Sequence, residues 1–111
     1  MPARLTAGFW VRAYLARLRL AGIPAFVIAH GDETAGAVAV KSNSLDGRAR
    51  AFQRSIDPAT GARVWMTLCD GAEPEVDAAL SRQRRRDPDL WILEVEDRDG
   101  RTLLDEPGLS D

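Results

Sequence analysis

The sequence predicts an α+β domain in two layers. An antiparallel sheet of five or six strands carries both helices on one face, in the order α-β-β-β-β-α-β-(β). Three observations predict it. A helical apolar stripe opens the chain, four short extended runs separated by turn residues follow it, and a second helical stretch precedes one more apolar run. The loops between the middle runs are too short for parallel crossovers, which need about a dozen residues.

The first helix runs from about Ala7 to Ala21. Trp10, Tyr14, Leu18 and Ala21 recur at helical spacing, Val11 and Leu15 widen the stripe, and Arg12, Arg17 and Arg19 lie off it. Thr6 is the expected N-cap, and Gly22 with Ile23-Pro24 stops the helix. "AFVIAH" (Ala25 to His30) reads as a strand and "GDETAG" as a turn. "AVAVKS" (Ala37 to Ser42) is the second strand, and "NSLDG" is its turn. "RARAFQRS" (Arg48 to Ser55) is the third strand, and "DPATG" is a hairpin loop with turn-forming Pro58 and Gly61. "RVWMTLC" (Arg63 to Cys69) is the fourth. The second helix, "AEPEVDAALSRQRRR", places Glu73, Glu75 and Asp77 early and Arg84 to Arg86 last, both in accord with the helix dipole. Its apolar face is narrow: Val76, Ala79 and Leu80, completed by Gln83. Asp87-Pro88 ends it, "LWILEVED" is the fifth strand, and "RTLL" is a short sixth. Residues 1–104 form the expected single domain, and residues 105–111 a loose polar tail.

The 111-residue length suits one core without covalent staples. No apolar run nears the roughly 20 residues of a membrane span. The N-terminus lacks the pattern of a secretory signal, and a single cysteine, Cys69, agrees with a reducing compartment, so the cytoplasm is expected. Charge is unevenly spread along the chain. Residues 1–69 hold nine basic and four acidic residues (+5), residues 70–111 six basic and thirteen acidic (−7), giving the net −2. Fourteen of the fifteen basic residues are arginine, and Lys41 is the exception. Such segregation favours a partner protein or self-association, positive face to negative face.

"DPDLWILEVEDRDG" packs six acids into fourteen positions. On a strand, Trp91, Leu93 and Val95 share one face, while Leu90, Ile92, Glu94 and Glu96 share the other. Glu94 and Glu96 then lie about 7 Å apart. That spacing suits a carboxylate pair and equally suits the wet face of a half-covered sheet, which is the expectation here. Asp97 to Gly100 resembles the start of a calcium loop, but Leu103 and Leu104 fall where oxygen ligands are needed, so a turn is expected. No metal site and no cofactor are expected.

His30 is expected as a polar residue at a strand end; as a candidate general base it would be oriented by Asp32 or Glu33, with Cys69 the candidate nucleophile. Arg84, Arg85, Arg86, Asp87 and Asp89 are the candidate anion-binding group, near which the end of the first helix could converge with His30-Gly31-Asp32. Arg48, Arg50 and Arg54 share a strand face and form a second cationic group. Interleaved acids and the negative total argue against nucleic acid.

"GFWVRAYLARLRLAGIPAFVIAHGD", "AGAVAVKSNSLDGRA" and "RQRRRDPDLWILEVEDRDGRTLL" together resemble a family of small bacterial proteins, domain-of-unknown-function family fourteen ninety-one. The likeness spans about Ala3 to Leu104. It is most specific in "DPDLWILEVEDRDGRTLL", with "GD...AGAV" and the Asn43/Leu45/Asp46/Gly47 turn as secondary marks. It implies an α+β bacterial cytoplasmic domain and carries no activity or catalytic residues. A non-enzymatic domain acting through a protein- or ligand-binding surface is therefore the first expectation. A small enzyme or anionic-ligand binder near His30 and Asp32 is the second, and weak nucleic-acid association through the arginines the third.

Overall fold

The computed structural model describes residues 5–109; residues 1–4 of the expected domain and 110–111 of the expected tail lie outside them. Helix α1 (Ala7–Leu20) is followed by β1 (Ala25–Ala29), β2 (Val38–Asn43), β3 (Arg48–Ile56), β4 (Arg63–Ala72), helix α2 (Glu73–Arg86) and β5 (Trp91–Glu96). Each element lies within a few residues of its expected place. Thr6 caps α1 as expected, its hydroxyl accepting from the Phe9 amide at 3.3 Å. The β3–β4 loop closes through Asp57, whose carboxylate accepts from the Ala59 amide, and Gly61 takes the positive φ that the turn requires.

The α+β class stands, and the sheet is mostly antiparallel, but its order is β1-β5-β2-β3-β4. The last strand inserts between the first two, antiparallel to β1 and parallel to β2. A chain returning from α2 can enter the sheet in that direction because the helix supplies the long crossover that parallel pairing needs.

The expectation that both helices cover one face is corrected. Trp10, Val11, Tyr14 and Leu18 of α1 pack with Val38, Val40, Trp91, Leu93 and Val95. Val76 and Leu80 of α2 pack with Ala39, Ala49, Ala51 and Ile92 on the opposite face. Alternation along β2 and β5 supplies both sets, so the molecule has three layers rather than two. Trp91 is buried on the α1 side as the strand periodicity requires.

The expected sixth strand does not form. Leu103 adopts φ 61°, which breaks an extended run, while Leu104 buries itself beside α1 and Tyr14 donates to the Thr102 carbonyl at 2.8 Å. Residues 105–109 of the expected polar tail also pack. Leu109 is buried, its carbonyl accepts from the Trp65 indole, and Arg17 holds both Glu106 and the Pro107 carbonyl. Covering a large apolar face with one 14-residue helix leaves a strip that these leucines fill.

Candidate functional site

Because β5 lies between β1 and β2, the β1–β2 connection must pass over the start of β5. The residues expected to form a site sit in this straddle. The Asp32 amide donates to the Asp89 carbonyl at 3.0 Å, and the Trp91 indole donates to the Asp32 carbonyl at 2.8 Å. A side chain at Gly31 or Gly36 would overlap the Asp89 carbonyl oxygen, so both ends of "GDETAG" need glycine for close approach. The same loop caps α1: the Ala7 and Gly8 amides donate to the Thr34 and Glu33 carbonyls. His30-Gly31-Asp32 thus does meet the Asp87–Asp89 turn, but the beginning of α1 joins them, not its end.

The Asp32 carboxylate accepts from the Thr34 and Ala35 amides at 3.1 and 2.8 Å, shaping the loop. His30 is exposed, with its ring 4.1 Å from that of Trp91 and its Nε2 3.5 Å from Glu33. Of the two acids expected to orient it, Glu33 is the one beside it. Cys69 lies on β4, at the opposite edge of the sheet from β1 and on the α2 side. Four strand spacings of about 4.8 Å separate those edges, so His30 cannot activate this thiol. Burial pushes the Cys69 thiol up from its ordinary value, away from the reactive thiolate.

The arginine group divides. Arg84 is a strap: its guanidinium donates to the Pro88 and His30 carbonyls, tying the end of α2 to the end of β1. Arg85 and Arg86 are exposed. Asp87 accepts from the Asp89 amide at 3.1 Å within the turn. Arg48 and Arg50 lie against Asp70, at 3.6 and 3.0 Å, and the Arg54 guanidinium sits 4.7 and 5.1 Å from the Trp10 and Trp65 ring centroids.

One constellation went unexpected. Lys41, 3% exposed, stands on the α2 face of β2. Its ammonium reaches Glu73 at 2.7 Å, Asp77 at 2.7 Å and Glu94 at 3.1 Å. Three N–H donors meet three carboxylates, so none is left over. Burial alone would lower this amine's pKa, but hydrogen bonds to Asp77, Glu73 and Glu94 outweigh it and hold Lys41 protonated above its ordinary range. That excludes a nucleophilic amine. Asn43 completes the cluster, its amide donating to Glu73 and Glu94 at 3.1 Å while its carbonyl accepts from the Leu45 amide. The signal in sequence was the pairing of one lysine, in a chain otherwise using arginine, with Glu73 and Asp77 four apart on a helix.

The acidic stretch is resolved by the same contacts. Glu94 is not on a wet face: its side chain is only 15% exposed and neutralised by Lys41. Asp97 closes a turn, with both carboxylate oxygens on Arg101, which together hold its carboxyl below the usual range. Among the described residues no group of His, Cys, Asp and Glu has the arrangement of a metal site. The charge segregation is also settled internally. Arg17 with Glu106, Lys41 with its three acids, and Arg48 and Arg50 with Asp70 all join the basic half of the chain to the acidic half.

These features define a small three-layer α+β domain in which Asp32, Arg84 and Trp91 lock backbone segments together. The chain belongs to the family described as "Protein of unknown function (DUF1491)", whose pattern matches residues 5–105. It is similar to the crystal structure of a DUF1491 family protein from Caulobacter crescentus, at 42% identity over 93% of this chain and 95% of that one, with a TM-score of 0.81. An NMR structure of a DUF1491 family protein from the same organism gives 42% identity, coverage of 96% and 97%, and a TM-score of 0.82. The solution structure of Atu0922 from A. tumefaciens is 32% identical over 85% of this chain and 86% of that one, with a TM-score of 0.71. No curated protein matches. No helix among the described residues is long and apolar enough to cross a membrane.

Proposed function

We propose that the protein is a non-enzymatic binding domain of the bacterial cytoplasm whose working surface is the free edge of β1. One observation carries this reading. β1 is the first strand of the sheet, hydrogen-bonded on one side only, and its Phe26, Val27 and Ile28 are all exposed. Edge strands of soluble proteins are ordinarily guarded by charge, proline, a bulge or a covering loop; β1 contains no charged residue, with Pro24 just before it and a register shift between Val27 and Ala29. An extended segment added here would gain backbone hydrogen bonds and cover apolar side chains in one step. The lone cysteine supports the reducing compartment. Arg84, held by carbonyls, and the internally paired Arg48 and Arg50 favour protein over nucleic acid as the partner class.

The test compares wild type with Ile28→Lys, which places an ammonium on the free edge. Cross-linking in cells followed by mass spectrometry should show wild-type adducts at residues 25–29 that the folded variant loses. Retention of every wild-type adduct in Ile28→Lys overturns the reading.

A further inference from the structure

We propose that the occupant of this edge is a second copy of the chain. Two β1 strands would pair antiparallel about a two-fold axis, fusing two five-stranded sheets into one of ten strands. The inference rests on the reading of β1 as the docking edge and names its partner.

The first argument is the mismatch between β1's composition and its place. "AFVIA" is apolar on both faces, the pattern of a strand with neighbours on each side, like β5 with "WIL". β5 is buried, whereas β1 is open. Antiparallel self-pairing would give β1 a second neighbour and make it an interior strand.

The second argument is charge. Antiparallel pairing sets the entry end of one β1 against the exit end of the other. At the entry end, Arg19 lies beside Ala25 and Phe26, and among the described residues no carboxylate stands within ion-pair distance of it. At the exit end, Glu33 lies beside His30 with its side chain 53% exposed. Both are on the α1 side, since Glu33 also meets Arg12. A two-fold axis through the edge therefore brings each Arg19 toward the other copy's Glu33, twice over.

The third argument is closure. The opposite edge, β4, carries Arg63 and Asp70, whereas β1 carries no charge; both edge strands shift register against their neighbours. Among the described residues β1 is the edge strand without charge, so growth stops at two copies rather than running into a filament. Five strand residues together with Leu20, exposed at the end of α1, are fewer than the roughly 20–30 residues a side of a standard interface. The expected complex is thus a reversible dimer with a dissociation constant on the order of micromolar to a hundred micromolar.

Sedimentation velocity over a concentration series decides it. The wild type should move from 12.2 kDa toward twice that mass. Amides of β1 should gain hydrogen-exchange protection in step. Ile28→Lys should weaken the dimer at least about tenfold, near 1.4 kcal/mol, and Arg19→Glu should weaken it less. Ile56→Lys serves as the control: Ile28 and Ile56 are equally exposed, at 57%, and Ile56 ends β3. Phe26→Glu replaces Ile28→Lys should circular dichroism show that variant unfolded. A wild type that stays monomeric at about millimolar concentration, well above that expected constant, overturns the inference. So does a dimer equally strong in Ile28→Lys and wild type. If the monomer nevertheless shows cross-links to another protein that Ile28→Lys abolishes, the second copy is wrong and the docking edge survives.

Discussion

The two faces of the sheet are built on different principles. Under α1 the core is bulky and nearly all apolar: Trp10, Tyr14, Leu18, Trp91 and Leu93 fill it, with Trp10 and Tyr14 stacked at 4.9 Å. Under α2 the sheet offers Ala39, Ala49 and Ala51, and the helix contributes only Val76 and Leu80 to full burial. The space left at the start of α2 is filled by Lys41 and its carboxylates. The α1 face draws its stability from area removed from water, about 25 cal/mol per Å². The α2 face adds a small apolar patch to a charge cluster whose Coulomb gain must first offset desolvation. A buried ion cluster is thus weaker evidence of stabilisation than of a fixed position: it sets where α2 sits along β2.

Breaking each face in turn tests this contrast. The largest effect is expected from Trp91→Ala, which empties the α1 side and removes the indole donor to the Asp32 carbonyl. A urea titration should show a loss of about 3–5 kcal/mol; less than about 1 kcal/mol would contradict the face assignment of β5. Lys41→Met comes next, at about 3 kcal/mol, the lower end for leaving buried carboxylates without their cation, because Asp77 remains half in water. Adding Glu94→Met should restore part of that loss, as apolar replacement of a buried pair often does. No recovery would mean that Lys41 acts chiefly by packing.

The smallest effect at neutral pH concerns alkali. Tyr14 on one face and Lys41 on the other both have folded-state values raised above their ordinary 10.0 and 10.5, Tyr14 by burial and Lys41 by its carboxylates against burial. A raised folded value means stability fully present below the unfolded value and lost as pH rises through the folded one. Stability should therefore be flat in these groups through neutral pH and decline above about pH 10. Thermal unfolding of Tyr14→Phe and Lys41→Met against pH should each flatten part of that decline. An unchanged alkaline limb in both would remove these groups as its cause.

Element by element, much of this fold was legible. The stripe from Trp10 to Leu18, the turn chemistry of "DPATG" and the alternation of Trp91, Leu93 and Val95 each follow from local geometry. Where β5 enters the sheet was not legible, because short loops report hairpin neighbours and say nothing about a strand returning after a helix. A clue existed: Leu90, Ile92 and Trp91, Leu93 are apolar on both sides, the pattern of a strand covered twice. Taking Glu94 and Glu96 as a wet face hid it, since partners distant in sequence can neutralise a buried acid. The same distance hid the straddle, in which Asp32 ties the β1–β2 loop to the turn before β5. "AFVIA" resembles a central strand and occupies an edge, which left the candidate docking surface unrecognised.

The insertion of β5 also bears on how the chain is made. Among the described residues strand β1 has a single hydrogen-bonding partner, and that partner, β5, follows all the other strands in the chain. While a nascent chain has reached only α2, β2, β3 and β4 can pair as consecutive antiparallel neighbours, but β1 has nothing to pair with. The position between β1 and β2 stays vacant until residues 91–96 emerge from the ribosome. Non-local pairing of this kind slows folding. It leaves an apolar strand bare during synthesis, the interval in which aggregation or capture by a chaperone competes with closure of the sheet.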